Sequence, residues 1–584
     1  MFCGEWSPIG TGLDASSLMI CDAFVGHNST SFKHVVFVLD EASLTREVID
    51  VVMDALDRSP DDIHVALVLF SASVKIFEMG GSTITAECIS ADSWHLENNQ
   101  SSEVEKMLRE HETSDDFPVK FVAPMHLSRS SLKMALEHHL QSDFGDDSNM
   151  RCFGGALETA LALLNVVGAP CGSLVVVTSG APSFGPGAMV LVDFESLAGA
   201  AKREADLINS TADAFFKNFR LHSAQDRVGV DIFCVSDRTK RWAIRQLCDL
   251  GRVSLRLNLD SVLQSLMREP PGTISVRTTK GISQQRVLEP LDDFAEDALT
   301  MLFDAKSGGG TIQLSLRSTA ARLGLPGLGE VERTVTKVVI PAQQGDDVAA
   351  DDRLAAVLIG KEALVLGGGE KHICSVLKAM AGPHVKARRL PASLVRVASM
   401  LFHMARGSMF RGHPEEMDAL RARFVHAPLD AAIRIMMPQL WGLRWARGLS
   451  TQGTLQLVPL STLSMRSDYV LVLDAQLDVY TWIGSDVPAA AQERSVALNF
   501  AKALARDGRW PVPQVVAFEE KDSFARCVRA RLSPEHKDTP DAQLGNHPLL
   551  AEMSPDQLAK FRARLFSEFS DDPCFSQWMS DVLS

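Results

Sequence analysis

The sequence predicts a multidomain chain that combines a doubly wound α/β trunk, a β-sandwich, a helical bundle and a small mixed α/β module. Three observations predict it. Four apolar runs in the first half alternate with helical periodicity, as in a parallel sheet covered on both faces. The texture then changes to residue-by-residue alternation, and later to apolar residues three and four apart. The chain also has 584 residues, too many for a single hydrophobic core.

Residues 1–30 read as a short N-terminal extension, and 31–265 as the trunk. Its strands are HVVFVLD (34–40), HVALVLF (64–70), SLVVVTS (173–179) and VDIFCVS (230–236), continuous Val, Ile, Leu and Phe runs that suit buried central strands. Between them, CFGGALETALALLN places Leu157, Leu161 and Leu164 at helical spacing, and TKRWAIRQLCDLG stops at Gly251. From 266 to 345, TISVRTTKG, ALTMLFDA and TIQLSLRS alternate apolar and polar residues around Gly308, Gly309 and Gly310. That pattern predicts antiparallel strands of a sandwich. The acidic stretch QQGDDVAADD (343–352) reads as a linker. Residues 346–454 read as helical throughout, from DDRLAAVLIGKEALVL to PLDAAIRIMMPQLWGL.

Residues 455–540 have a clear local logic. YVLVLD (469–474) and DVYTWIG (478–484) are two strands joined by a short turn. Ser485 or Asp486 is expected to cap a helix running to about Asp507, with Pro488 in its first turn, Gly508 after its end, and Val496, Phe500 and Leu504 as its inward stripe. PVPQVVAF (511–518) is the third strand, followed by a helix capped by Asp522 with Phe524, Val528 and Leu532 facing inward. Residues 541–584 read as a tail of short amphipathic helices whose Trp578 and Met579 dock back.

Composition excludes several functions. The formal charge of −15 opposes a general nucleic-acid role. The ten cysteines are scattered, with no C-x-x-C pair, so no zinc site is expected and buried free thiols are. No cofactor is expected. The first residues lack the basic and apolar regions of a signal peptide, and no run has the roughly 18 apolar residues that would span a bilayer. A cytoplasmic protein is the expectation. GGGEKH (367–372) lacks P-loop spacing, and no G-x-S-x-G elbow, H-E-x-x-H pair or kinase loop occurs. The chain is therefore not expected to be a catalyst by itself. One local feature opposes the acidic whole: His384 to Arg447 holds eleven basic and four acidic residues, a candidate face for anionic lipid or an acidic partner.

The trunk resembles a von Willebrand factor A fold. Many such folds carry a metal site written D-x-S-x-S after the first strand. Here those positions are Asp40, Ala42 and Leu44, and the loss of both hydroxyls removes oxygen ligands that a hard cation requires. A structural role for Asp40 is the expectation. Residues 468–540 resemble a gelsolin-like module. RCFGGALETALALL (151–164), GSLVVVTSGAPSFGPGAMV (172–190), MFRGHPEEMDALRARF (409–424) and PVPQVVAFEEKDSFARCVRARLSP (511–534), in this order, resemble the GTPase-activating subunit family of the COPII inner coat over roughly 31–540.

That resemblance implies a role in vesicle budding from the endoplasmic reticulum. The implied partners are a small coat GTPase in its GTP state, a cargo-adaptor paralogue, the outer coat and an anionic membrane surface at exit sites, with no nucleic acid. It also implies an arginine finger, and here this chain departs from the family: the position in P-V-P-Q is Gln514. GTPase activation is therefore expected to be reduced or lost. Arg509 and Arg526 are the neighbouring GTPase-facing candidates, and Lys386, Arg388, Arg389 and Arg396 the candidate membrane-facing ones. The family's four-cysteine zinc finger has no counterpart in this sequence. The alternatives are a divergent cargo-adaptor subunit of the same coat and a gelsolin-like actin-binding protein.

Overall fold

Seven buried residues in a row, His34–Asp40, form the central strand of the first unit. In the computed structural model this strand lies between His64–Phe70 and Gly172–Thr178, parallel to both, with His34 opposite His64 and Gly172. Val228–Cys234 continues the parallel sheet. Antiparallel strands Val74–Phe77 and Ala86–Ile89 extend it at one edge and the parallel strand Arg252–Ser254 at the other. Helices 46–58, 125–141, 153–166, 200–225 and 259–267 accompany the sheet. The strands read from the sequence as uninterrupted apolar runs are thus the central ones, and Phe153, Leu157, Leu161 and Leu164 of the Phe153–Val166 helix are buried with them in one core.

The structure describes residues 18–26, 33–61, 63–90, 100–109, 120–141, 150–169, 172–190, 199–235, 244–268, 272–287, 294–295, 301–305, 309–319, 330–339, 351–382, 385, 390–445, 454–507, 509–568 and 573–584. They divide into two compact units, one within 14–343 and the other within 344–584.

The first unit also holds a five-stranded sheet and a separate two-stranded antiparallel pair, Ile282–Val287 with Met301–Ala305. One finding corrects the expected domain boundaries. Leu18–Gly26, expected in a short extension, is an edge strand of the five-stranded sheet and pairs antiparallel with Glu330–Val339. A strand with no partner near it in sequence gives no local turn signal, which is why it was missed.

The second unit begins with helices 352–365, 369–381, 392–406, 414–426 and 429–436 around a core that includes Leu401, Phe402 and Phe424. Trp578 and Met579 of the last helix, Phe575–Leu583, are buried in this core, and the Trp578 ring lies 5.4 Å from that of Phe402. The expected helical domain extends too far. The helix Leu429–Met436 stops before Pro438, which disfavours the helical region for Met437. Gln439–Arg444 is then a strand between Gln456–Val458 and Tyr469–Asp474. The mixed module therefore starts near 439.

Candidate functional site

The mixed module is a five-stranded sheet in the order 456–458, 439–444, 469–474, 478–483, 514–519. Its last strand, Gln514–Glu519, lies at an edge, parallel to Asp478–Ile483, with Gln514 opposite Asp478. β-branched Val515 and Val516 favour the strand, and Phe518 packs 5.7 Å from the Tyr480 ring. Buried Pro511 and Pro513 precede Gln514, and Gln514 itself is exposed as the first residue of the edge strand.

Arg509 is placed differently from the expectation. Its Nη1 and Nη2 each donate to an oxygen of Asp474, both at 2.6 Å, and the Asp474 side chain is fully buried. Asp474 Oδ1 also accepts from the Gln476 backbone N–H at 3.0 Å in the turn between two strands. This planar fork is committed to the fold and holds the segment leading to Gln514 against the sheet. The sequence reading missed Asp474 because it lies thirty-five positions before Arg509. It also missed Asp478, which accepts from the Tyr480 hydroxyl at 2.9 Å. Burial pushes that phenol well above its usual range, although Arg531 over the ring at 5.2 Å acts the other way.

Arg526 opens the short helix Arg526–Arg529 and is exposed. It follows the opposite end of the edge strand, past a turn in which Asp522 Oδ2 accepts from Glu519 N at 2.8 Å. Asp522 thus holds a turn and makes no side-chain cap. Val528 and Leu532 are buried as expected, whereas Phe524 is 61% exposed. The long helix also starts later than expected, at Gln492. Ser485 N donates to Glu520 Oε2 at 2.6 Å and Asp486 N to the Ser467 carbonyl at 3.0 Å, so tertiary partners take the N–H groups that a helix start would orient. The stripe that this helix buries fully is Ala497, Ala501 and Ala505, with Phe500 and Leu504 beside it. Among the described residues no hydrogen bond or ion pair joins Gln514, Arg509 and Arg526.

Of the basic candidates, Lys386, Arg388 and Arg389 lie outside the described residues, and Arg396 is exposed on the helix Ala392–Arg406. Several other cations of that region are structural. Arg406, Arg421 and Arg423 donate to backbone carbonyls of Leu532, Met409 and Gln476, and Arg444 pairs with Asp468 and Glu552. The local excess of positive charge is therefore in good part internal wiring.

In the first unit, Asp40 ends the central strand almost fully buried. Its Oδ2 accepts from Arg151 Nε at 2.9 Å and from Ser179 N and Oγ at 2.8 Å each. Ala42 N donates to Oδ1 at 3.0 Å. Among the described residues no group of three or more His, Cys, Asp or Glu side chains could hold a metal ion.

The doubly wound sheet and its helices define an open α/β class, and comparison with known proteins shows what the chain is similar to. Residues 34–241 match the family model described as the Sec23/Sec24 trunk domain. The chain is similar to protein transport protein SEC23 A of Arabidopsis thaliana, at 25% identity over 90% of this chain. It spans 64% of that relative's length. It is similar to SEC24 of Komagataella pastoris at 33% identity, over 20% of this chain and 12% of the relative. The crystal structure of the human COPII-coat protein Sec24c superposes with a TM-score of 0.62 and 12% identity, covering 94% of this chain and 77% of that one. These likenesses support the Sec23/Sec24 family of the COPII inner coat, with residues 34–241 matching its trunk domain.

Proposed function

We propose that this chain is an inner-coat subunit of the Sec23 type in endoplasmic-reticulum-to-Golgi transport. In this reading it binds the coat's small GTPase in the GTP state, a cargo-adaptor paralogue and the outer coat, with GTPase activation reduced or lost. Coverage supports the Sec23 side of the family. The likeness to a SEC23 relative runs over 90% of the chain, while that to the SEC24 of Neurospora crassa covers 32%. The fold likeness to Sec24c at 12% identity speaks for the architecture alone.

Gln514 carries the functional part. It stands exposed at the tip of an edge strand, where a side chain can reach a bound partner. Phosphoryl transfer from GTP concentrates negative charge, and an inserted guanidinium stabilises it by roughly 10³–10⁵ in rate. A neutral amide donates a hydrogen bond without that charge. Arg509, the nearest alternative in sequence, has both terminal nitrogens engaged by Asp474. Membrane attachment in this reading is peripheral and cytoplasmic, through Arg396 and the neighbouring basic sequence. Among the described residues no helix is long and apolar enough to cross a bilayer.

Co-purification tests the reading. The full chain is expected to retain the small coat GTPase loaded with a non-hydrolysable GTP analogue and to release it in the GDP state. Equal retention of both states, or of neither, contradicts the proposal.

A further inference from the structure

We infer that the first unit carries its own organic cation, the Arg151 guanidinium, where folds of this class seat a divalent metal ion. The C-terminal edge of its sheet is shaped by that residue and closed to metal. In open α/β sheets this edge is the usual place for ligands, and the end of the central strand is where a cation would sit. Asp40 is the anion there, and its surroundings do not fit a hard ion. Ala42 and Leu44 offer no side-chain oxygen, and the Ser43 hydroxyl donates to the main-chain oxygen of Asp40 at 2.6 Å. A second charge of +2 beside the guanidinium meets direct repulsion in a poorly solvated pocket.

The pocket is built around the guanidinium itself. Arg151 Nε donates to Asp40 Oδ2, Nη2 donates to Ser179 Oγ at 3.1 Å, and Ser179 Oγ donates to the same Asp40 oxygen. A Cβ at Gly180 would stand 2.8 Å from Arg151 Cζ, so glycine leaves the room that the guanidinium fills. The backbone of the same segment then links three strand ends. Arg151 N donates to Ser183 Oγ at 2.9 Å, the Arg151 carbonyl accepts from Ser183 N and Phe184 N, and Cys152 N donates to the Ser71 carbonyl at 2.7 Å. Arg151 and the adjoining Cys152 therefore tie together the loops after His34–Asp40, His64–Phe70 and Gly172–Thr178, a task that a metal ion performs when ligands come from several loops.

Mn²⁺ is the probe, and the wild-type full chain is the first sample. Electron paramagnetic resonance is expected to show no stoichiometric Mn²⁺ bound, and the melting temperature is expected to be the same in millimolar EDTA and in millimolar MnCl₂. Stoichiometric Mn²⁺ that Asp40→Asn abolishes overturns the inference. The second test is a cycle of Asp40→Asn, Arg151→Met and the double variant. Each single change strands a buried charge and lowers the melting temperature, and the double variant is expected to recover most of the combined loss. Losses that simply add would overturn the pairing.

Discussion

Gln514 and Arg509 lie five residues apart and have opposite fates: the neutral one is exposed, and the charged one is locked. The sequence named both, but spacing alone says nothing about which side chain finds a buried carboxylate thirty-five residues away. The lock makes a prediction at this scale. Arg509→Met leaves Asp474 buried without its guanidinium, and breaking a buried pair from one side costs about 3–5 kcal/mol. Urea denaturation of the full chain is expected to show that loss in the C-terminal unit. A midpoint equal to wild type would mean that the pair contributes nothing to the fold. Gln514→Arg, on an exposed strand end, is expected to leave the same midpoint within about 0.5 kcal/mol.

At the scale of elements, legibility followed burial. The four trunk strands were readable because they are buried on both faces, so most of their residues are apolar and no alternation confuses the pattern. Boundaries failed where tertiary contacts decide. Gln439–Arg444 was read as a continuation of a helix because WGL suits either state, and only Pro438 hinted otherwise. The helix at Gln492–Arg506 was read with its large apolar residues inward. The structure instead buries Ala497, Ala501 and Ala505 most deeply, since small residues let the helix approach the sheet closely. Ala501→Leu is therefore expected to overpack this contact and to cost about 1–3 kcal/mol, measured as a lowered urea midpoint. An unchanged midpoint would show that the helix has room to shift. The edge strand Leu18–Gly26 escaped because its partner lies more than three hundred residues away, and no local signal encodes such a pairing.

For the whole molecule, buried titrating groups in both units make stability depend on pH, and burial lowers His64 and His139 of the first unit as it does histidines of the second. In the C-terminal unit, burial pushes His536 down to about 4, with Lys537 adding to the effect and Asp538 opposing it, and its Nδ1 lies 3.0 Å from the Thr462 hydroxyl. The unfolded imidazole takes up a proton near its ordinary value of about 6.5, before the folded one does. Stability from keeping it neutral is thus complete above that value and is lost as pH falls toward 4. In the first unit, burial alone would raise the Asp231 carboxyl, but Arg252 and Arg268 together hold it at about 2. Its contribution persists until pH drops below the ordinary carboxylate value of about 4 and is lost toward 2. Urea unfolding followed by tryptophan emission, with Trp441, Trp445, Trp482, Trp510 and Trp578 in the C-terminal unit, is expected to weaken between pH 6.5 and 4. A flat transition over this range would contradict the lowering of His536 and of His403, which burial also pushes down to about 4.

The proposed role is that of a scaffold that docks on a GTP-loaded switch without supplying its cation. The most direct measurement is the single-turnover rate of GTP hydrolysis by the small coat GTPase, with the wild-type chain and with Gln514→Arg in parallel. Wild type is expected to give a rate near that of the GTPase alone, and Gln514→Arg an acceleration of roughly 10³ or more. A wild-type chain that already stimulates hydrolysis as strongly as the variant would contradict it.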